Sequence, residues 1–188
     1  MIRSFLAVEL PKAIQKKIDE TQADLRSSRA DVRWVSAEKI HLTLKFFGNI
    51  DDSRIEAIAA SIEGTVRTTQ PFSLKVRGIG VFPHVKNPRV IWVGLLDEKG
   101  ILVSLQKGLE SELEKIGFEP EARHFQPHLT LGRVKSAKGK EALTGRMERY
   151  REEEFGEFEV EGLVLFRSDL RPTGPIYTAL RELRLGGM

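Results

Sequence analysis

The tetrapeptide HLTL occurs at residues 41–44 and again at residues 128–131, 87 residues apart in a chain of 188. Four histidines and nine threonines scattered at random would give about 0.2 His-x-Thr pairs, so the duplication asks for a cause. Alternate side chains of a β-strand face opposite sides. His41 and Thr43 then share one face while Leu42 and Leu44 enter the core, and His128 and Thr130 repeat the arrangement over Leu129 and Leu131. Two imidazoles across a cleft suit phosphodiester chemistry, one taking a proton from the nucleophile and the other giving one to the leaving oxygen. Histidine fits both tasks because its ordinary pKa of about 6.5 keeps either form accessible near neutral pH. The threonine hydroxyls can hydrogen-bond the non-bridging phosphate oxygens, where transition-state charge must be held. A lone His-x-Thr reads as a half-buried strand with a satisfied histidine; the duplication is what turns the reading toward chemistry. A zinc site is the competing use of histidine, but such sites need three or four ligands, and no cysteine or close carboxylate cluster accompanies these strands.

Both motifs must be carried by strands, and the pattern around them agrees. Ile2 to Leu10 reads as a strand, Pro11 opens a helix with Ile14, Ile18 and Leu25 at helical spacing, and VRWV at 32–35 is a short β piece. IHLTLKFFGNI at 40–50 is a strongly apolar strand, and Asp51, Asp52 or Ser53 can cap a helix through IEAIAASIEGTV. Residues 72–82 and 89–95 read as an antiparallel pair joined by PHVKNP, followed by a helix ending near Gly117. FQPHLTLGRV at 125–134 is the second motif strand; a short helix around 138–150 and two closing strands, FGEFEVEGLVLFRSDL and PIYTALRELRL, complete the pattern. The order divides into two similar halves with one HLTL each and no linker between them, so residues 1–188 read as one domain of two packed lobes.

Composition bounds the rest. With 40% hydrophobic and 30% charged residues the chain has the makings of a globular core. The absence of cysteine removes disulfides and thiolate metal sites. The apolar run in MIRSFLAVELPK stops at Glu9, too soon for a signal peptide, and no stretch approaches the roughly 18 apolar residues of a membrane span. A cytoplasmic, monomeric protein without membrane contact is expected. A net charge of +3 and a sequence pI near 9.2 leave room for an anionic partner such as RNA or a phosphate ester.

The opening RSFLAVELP, the segment RWVSAEKIHLTLKFFGNI and the segment FQPHLTLGRV together resemble the two-histidine phosphoesterase superfamily, and within it the RNA 2′,3′-cyclic phosphodiesterases, also called 2′-5′ RNA ligases. The resemblance implies an α+β fold of two pseudo-symmetric lobes of antiparallel sheet, helices outside, with the motifs facing across a central groove. It implies hydrolysis of a terminal 2′,3′-cyclic phosphate to a 2′-phosphate without metal or other cofactor, with His41 as proton donor to the 3′ oxygen and His128 as the base that activates water. RNA ends, tRNA halves among them, are the implied partners. A 5′-hydroxyl in place of water would join two RNA ends by a 2′-5′ bond without ATP, and no Walker-type loop is present. Two other readings stay open: a nucleotide or RNA-end binding module with little turnover, and a phosphodiesterase of small cyclic nucleotide phosphates.

Further candidates surround the motifs. Strict alternation puts Lys45 on the face of His41 and Thr43, within reach of a phosphate. The same alternation puts Arg133 on the leucine face, whereas the resemblance places a basic residue near the phosphate at this position; a bulge at Gly132 would reconcile the two. Trp34, Phe82 and Phe125 border loops beside the motif strands and are candidates for stacking on unpaired bases, with Trp34 and Phe125 nearest the expected cleft, and Arg123 is a candidate contact to the backbone.

Overall fold

The computed structural model describes residues 1–187. Nine strands form two antiparallel sheets among the described residues, with four α-helices between and around them. One sheet, here sheet A, has four strands in the order β3-β1-β8-β9, made by Ile2–Glu9 (β1), His41–Ile50 (β3), Gly162–Arg171 (β8) and Gly174–Arg184 (β9). The five-stranded sheet B runs β2-β6-β5-β4-β7, made by Val32–Trp34 (β2), Phe72–His84 (β4), Asn87–Leu96 (β5), His128–Val134 (β6) and Glu154–Val160 (β7). The first motif therefore lies in sheet A and the second in sheet B.

The helices follow from apolar spacing. Lys12–Arg26 (α1) buries Ile14, Ile18, Gln22 and Leu25; Arg54–Thr68 (α2) buries Ile55, Ile58, Ile62 and Val66. Ile101–Lys115 (α3) buries Leu102, Leu105, Gln106, Leu109 and Leu113, and Lys140–Met147 (α4) is short. Recurrence every three or four residues gives each long helix one apolar stripe, and these stripes meet the leucine faces of both sheets in one continuous core. A glutamine sits inside two of the stripes. The start of α3 is held by Asp97, whose two carboxylate oxygens accept from the amides of Ile101 and Val103 at 3.0 Å each.

Two sequence expectations change. PHVKNP shrinks to a tight turn at Val85 and Lys86, because β4 and β5 pair as far as His84 with Asn87. FGEFEVEGLVLFRSDL is two strands and not one: Val160 pairs with Phe72 in sheet B, whereas Gly162 pairs with Arg184 in sheet A, so the chain changes sheets at Glu161. Alternation reads through this point unbroken, since only non-local pairing decides which sheet a strand joins. Among the described residues no helix is long and apolar enough to cross a membrane.

Candidate active site

His41 opens β3 and His128 opens β6, and each ring is anchored in the same way. His41 Nδ1 lies 2.8 Å from the Lys39 carbonyl and His128 Nδ1 lies 2.7 Å from the Gln126 carbonyl. A carbonyl only accepts, so Nδ1 carries the hydrogen in both rings and Nε2 is the nitrogen left for proton transfer. Thr43 and Thr130 follow two residues on, over the fully buried pairs Leu42/Leu44 and Leu129/Leu131.

Each motif then ends in a bulge. The register of β1 against β3 shifts between Leu6 and Ala7, which pair with Lys45 and Thr43, so Leu44 is the extra residue. The register of β5 against β6 shifts between Ile91 and Trp92, which pair with Gly132 and Thr130, so Leu131 is the extra residue. A buried glutamine bonds each extra carbonyl. Gln106 Nε2 of α3 donates to Leu44 O at 3.4 Å, and Gln22 Nε2 of α1 donates to Leu131 O at 3.0 Å and to Val35 O at 2.7 Å.

A bulge adds one residue and thereby reverses the faces beyond it. Arg133 returns to the side of His128 and Thr130, and all three line one cavity of about 530 Å³ together with Thr43, Phe46 and Phe125. Phe46 is the counterpart of Arg133 on β3. It is 40% exposed and Arg3 lies over its ring at 4.5 Å. Lys45, the counterpart of Gly132, borders the same cavity but is 5% exposed, and its Nζ is bound to Glu110 Oε2 at 2.7 Å and to Glu119 O at 2.6 Å. Strict alternation misplaces it for that reason: the bulge turns Lys45 toward α3 and its charge is already paired.

The aromatic candidates separate. Phe82 and Phe125 line the cavity, as does Arg123, and Phe82 meets His128 edge-on at 5.1 Å. Trp34 does not line it. Trp34 pairs with Gly132 and packs against the core, with a Cβ on Gly132 falling 3.1 Å from the indole, while Arg26 covers the ring at 5.8 Å. Alternation along β2 thus gives Trp34 to the inner side and Arg33 to the outer.

His41 sits in drier surroundings than His128. Its ring stacks on Phe5 at 4.6 Å and meets Tyr177 edge-on at 5.3 Å, within a small apolar cluster completed by Ala7, Val164 and Phe166. Burial lowers its pKa below the ordinary value, against the opposing effect of the Lys39 carbonyl. Burial likewise raises the Tyr177 phenol. Sequence reasoning missed Phe46, Phe5 and Tyr177; Gln22 and Gln106 left one signal, a polar residue inside an apolar helical stripe.

A larger cavity of about 820 Å³ lies between β4, β5 and α4 and is lined by none of the motif histidines or threonines. Among the described residues no group of three or more His, Cys, Asp or Glu is placed to hold a metal ion.

A model of the LigT like Phosphoesterase family matches the chain over residues 8–92 and again over residues 94–177, one match for each HLTL. The chain is a LigT-like phosphoesterase. This LigT-like chain is 38% identical over 184 residues to a Methanothermobacter thermautotrophicus protein named RNA 2′,3′-cyclic phosphodiesterase, covering 98% of this chain and 99% of the relative. It is 33% identical over 188 residues to a protein of the same name from Aquifex aeolicus, covering 100% of this chain and 99% of the relative. A crystal structure from Thermus thermophilus superposes with a TM-score of 0.83 at 32% identity, covering 99% of both chains, and E. coli LigT in its apo form does so with 0.77 at 25%, covering 98% and 97%.

Proposed function

We propose that this LigT-like phosphoesterase hydrolyses the 2′,3′-cyclic phosphate at the end of an RNA to a 2′-phosphate. The observation that carries the reading is the matched anchoring of two imidazoles, each with Nδ1 bound to a carbonyl and each two residues from a threonine, on strands whose residues line one cavity. The full-length relatives named RNA 2′,3′-cyclic phosphodiesterase support the substrate.

His128 Nε2 takes a proton from water as its oxygen bonds to phosphorus. The bond from phosphorus to O3′ breaks, and O3′ receives the proton of His41 Nε2. The products are a 2′-phosphate and a 3′-hydroxyl, with His128 left charged and His41 neutral until solvent exchanges the proton. Thr43, Thr130 and Arg133 hold the non-bridging oxygens, where two hydroxyls and a guanidinium fork can follow the developing charge. Phe125 is a wall for the terminal base, and Lys45 supports the floor beneath Thr43 through Glu110. Burial of His41 makes its imidazolium a stronger acid while thinning its population, and the phosphate anion, once bound, restores the proton. A 5′-hydroxyl in the place of water would give a 2′-5′ linkage by the same transfers. We assign these steps to a cytoplasmic monomer, with tRNA halves among its substrates.

The test is incubation in EDTA with a short RNA ending in a 2′,3′-cyclic phosphate, the product being identified by mass and by its resistance to phosphatases and nucleases. A 2′-phosphate is expected. A 3′-phosphate would exchange the two histidine roles, and binding without product would favour a non-catalytic module.

A further inference from the structure

Arg33 stands directly opposite Arg133 across the ladder between β2 and β6. Directly opposed residues of an antiparallel pair project from the same face with Cβ atoms about 5 Å apart, and like charges placed there repel. Both side chains are exposed. Arginines that pair with carboxylates, such as Arg77, Arg146 and Arg167, lie elsewhere, and neither member of this rung has an ion-pair partner among the described residues. Two residues further along, past the Val32–Val134 pair, the Lys135 amide donates to Asp31 O at 2.8 Å, placing one charge of each sign side by side, so the excess stays on the arginine rung.

Arg133 faces the cavity that holds His128 and Thr130, whereas Arg33 does not line that cavity and belongs to β2, the edge strand of sheet B. The rung therefore extends positive charge from the reacting phosphate outward over the sheet edge. Trp34 fixes its direction, because with the indole packed against the core the neighbouring Arg33 can only project outward. A guanidinium fork suits a phosphodiester, and an anion between the two arginines relieves their repulsion.

We infer that Arg33 forms a second phosphate subsite, which takes the internucleotide phosphate preceding the cyclic phosphate and gives the enzyme a preference for oligonucleotide ends over cyclic mononucleotides. The inference rests on the reading of the site as a cyclic phosphodiesterase and names the length of substrate it takes.

The experiment compares kcat/KM for a nucleoside 2′,3′-cyclic phosphate, which lacks the preceding phosphate, with that for an oligonucleotide ending in one, in wild type, Arg33→Ala and Arg33→Lys. In Arg33→Ala the oligonucleotide-to-mononucleotide ratio falls about tenfold, chiefly through KM, as loss of one charged hydrogen-bonded contact implies. Arg33→Lys falls between the two, keeping the charge and losing the fork. An unchanged ratio in Arg33→Ala overturns the subsite, whether both substrates suffer or neither does. If wild type turns over neither substrate, the phosphodiesterase reading fails by itself, and the subsite is then read from binding of an oligonucleotide with a terminal 2′-phosphate. There Arg33→Ala weakens affinity about tenfold and lowers the slope against log salt by about 0.7, the value for one single-stranded phosphate contact; equal affinity and slope overturn it.

Discussion

Strands β3 and β6 have the same backbone and different neighbours. Each opens with a histidine tied through Nδ1 to the carbonyl two residues earlier, and each bulges at the last leucine of HLTL over a buried glutamine. Around this shared frame the side chains diverge. His41 lies against Phe5 and Tyr177, while His128 meets the edge of Phe82; the bulge is followed by Lys45 and Phe46 on β3, and by Gly132 and Arg133 on β6. The duplicated backbone delivers two imidazoles in one geometry, and the unlike surroundings bury one of them against aromatic rings. Positive charge gathers on the β6 side, leaving an aromatic surface on the other.

The largest effect that would break the comparison is on the histidines. His41→Ala and His128→Ala should each lower turnover about 10²–10⁴-fold, the range for one general acid or base. Their pH profiles should differ. Because burial holds the His41 pKa below 6.5, the free enzyme loses its protonated acid as pH rises through that lowered value. The alkaline limb of kcat/KM should then have its midpoint below 6.5 in wild type, vanish in His41→Ala and persist in His128→Ala. An alkaline limb that survives in His41→Ala would assign the acid to another group.

Next in size is the charge beneath β3, which has no equivalent under β6. Lys45 and Glu110 are 5% and 12% exposed, so Glu110→Gln leaves a buried ammonium without its counter-charge and should cost about 3 kcal/mol. On β6 the equivalent glycine carries no charge. Gly132→Ala should cost about 1–3 kcal/mol by another route, since the new Cβ would fall 2.8 Å from Val32 Cγ1 and push β2 away. Denaturant unfolding measures both, and equal insensitivity would remove the asymmetry.

The smallest effect concerns the two glutamines. Leu131 O also accepts from Val35 N at 2.8 Å, and Gln22 Oε1 is buried without a partner. Gln22→Leu removes that orphan together with the bonds to Leu131 O and to the half-buried Val35 O and should cost about 1 kcal/mol, whereas Gln106→Leu unpairs Leu44 O and Glu110 Oε1 and should cost about 1–3 kcal/mol. Hydrogen exchange at the two bulges distinguishes them: only the β3 bulge should lose protection in Gln106→Leu.

Much of this arrangement is legible in local pattern. The period of two placed both HLTL strands, the period of three to four placed the helices, and glycine in HLTLGR pointed to the bulge that turns Arg133. HLTLKF contains no glycine, and nothing in it announces the same bulge, so alternation exchanges the places of Lys45 and Phe46. Trp34 misleads for a related reason: a ring beside a loop reads as available, and only pairing with Gly132 shows it packed inward. The change of sheet at Glu161 is invisible to any window, because β8 is claimed by β1, more than 150 residues earlier.

That last pairing governs when the enzyme comes into being. β1 lies between β3 and β8, with Ser4 opposite Arg167 and Ala7 opposite Val164, and the platform under His41 joins Phe5 to Phe166 and Tyr177. β1 is thus completed by a strand made more than 150 residues later. At about 5–20 residues per second a ribosome spends on the order of ten seconds or more between them, and a contact across so long a loop forms late. A growing chain carries His41 without its platform until β8 and β9 are made, so both HLTL strands exist before the first of them has the aromatic floor on which its imidazole rests.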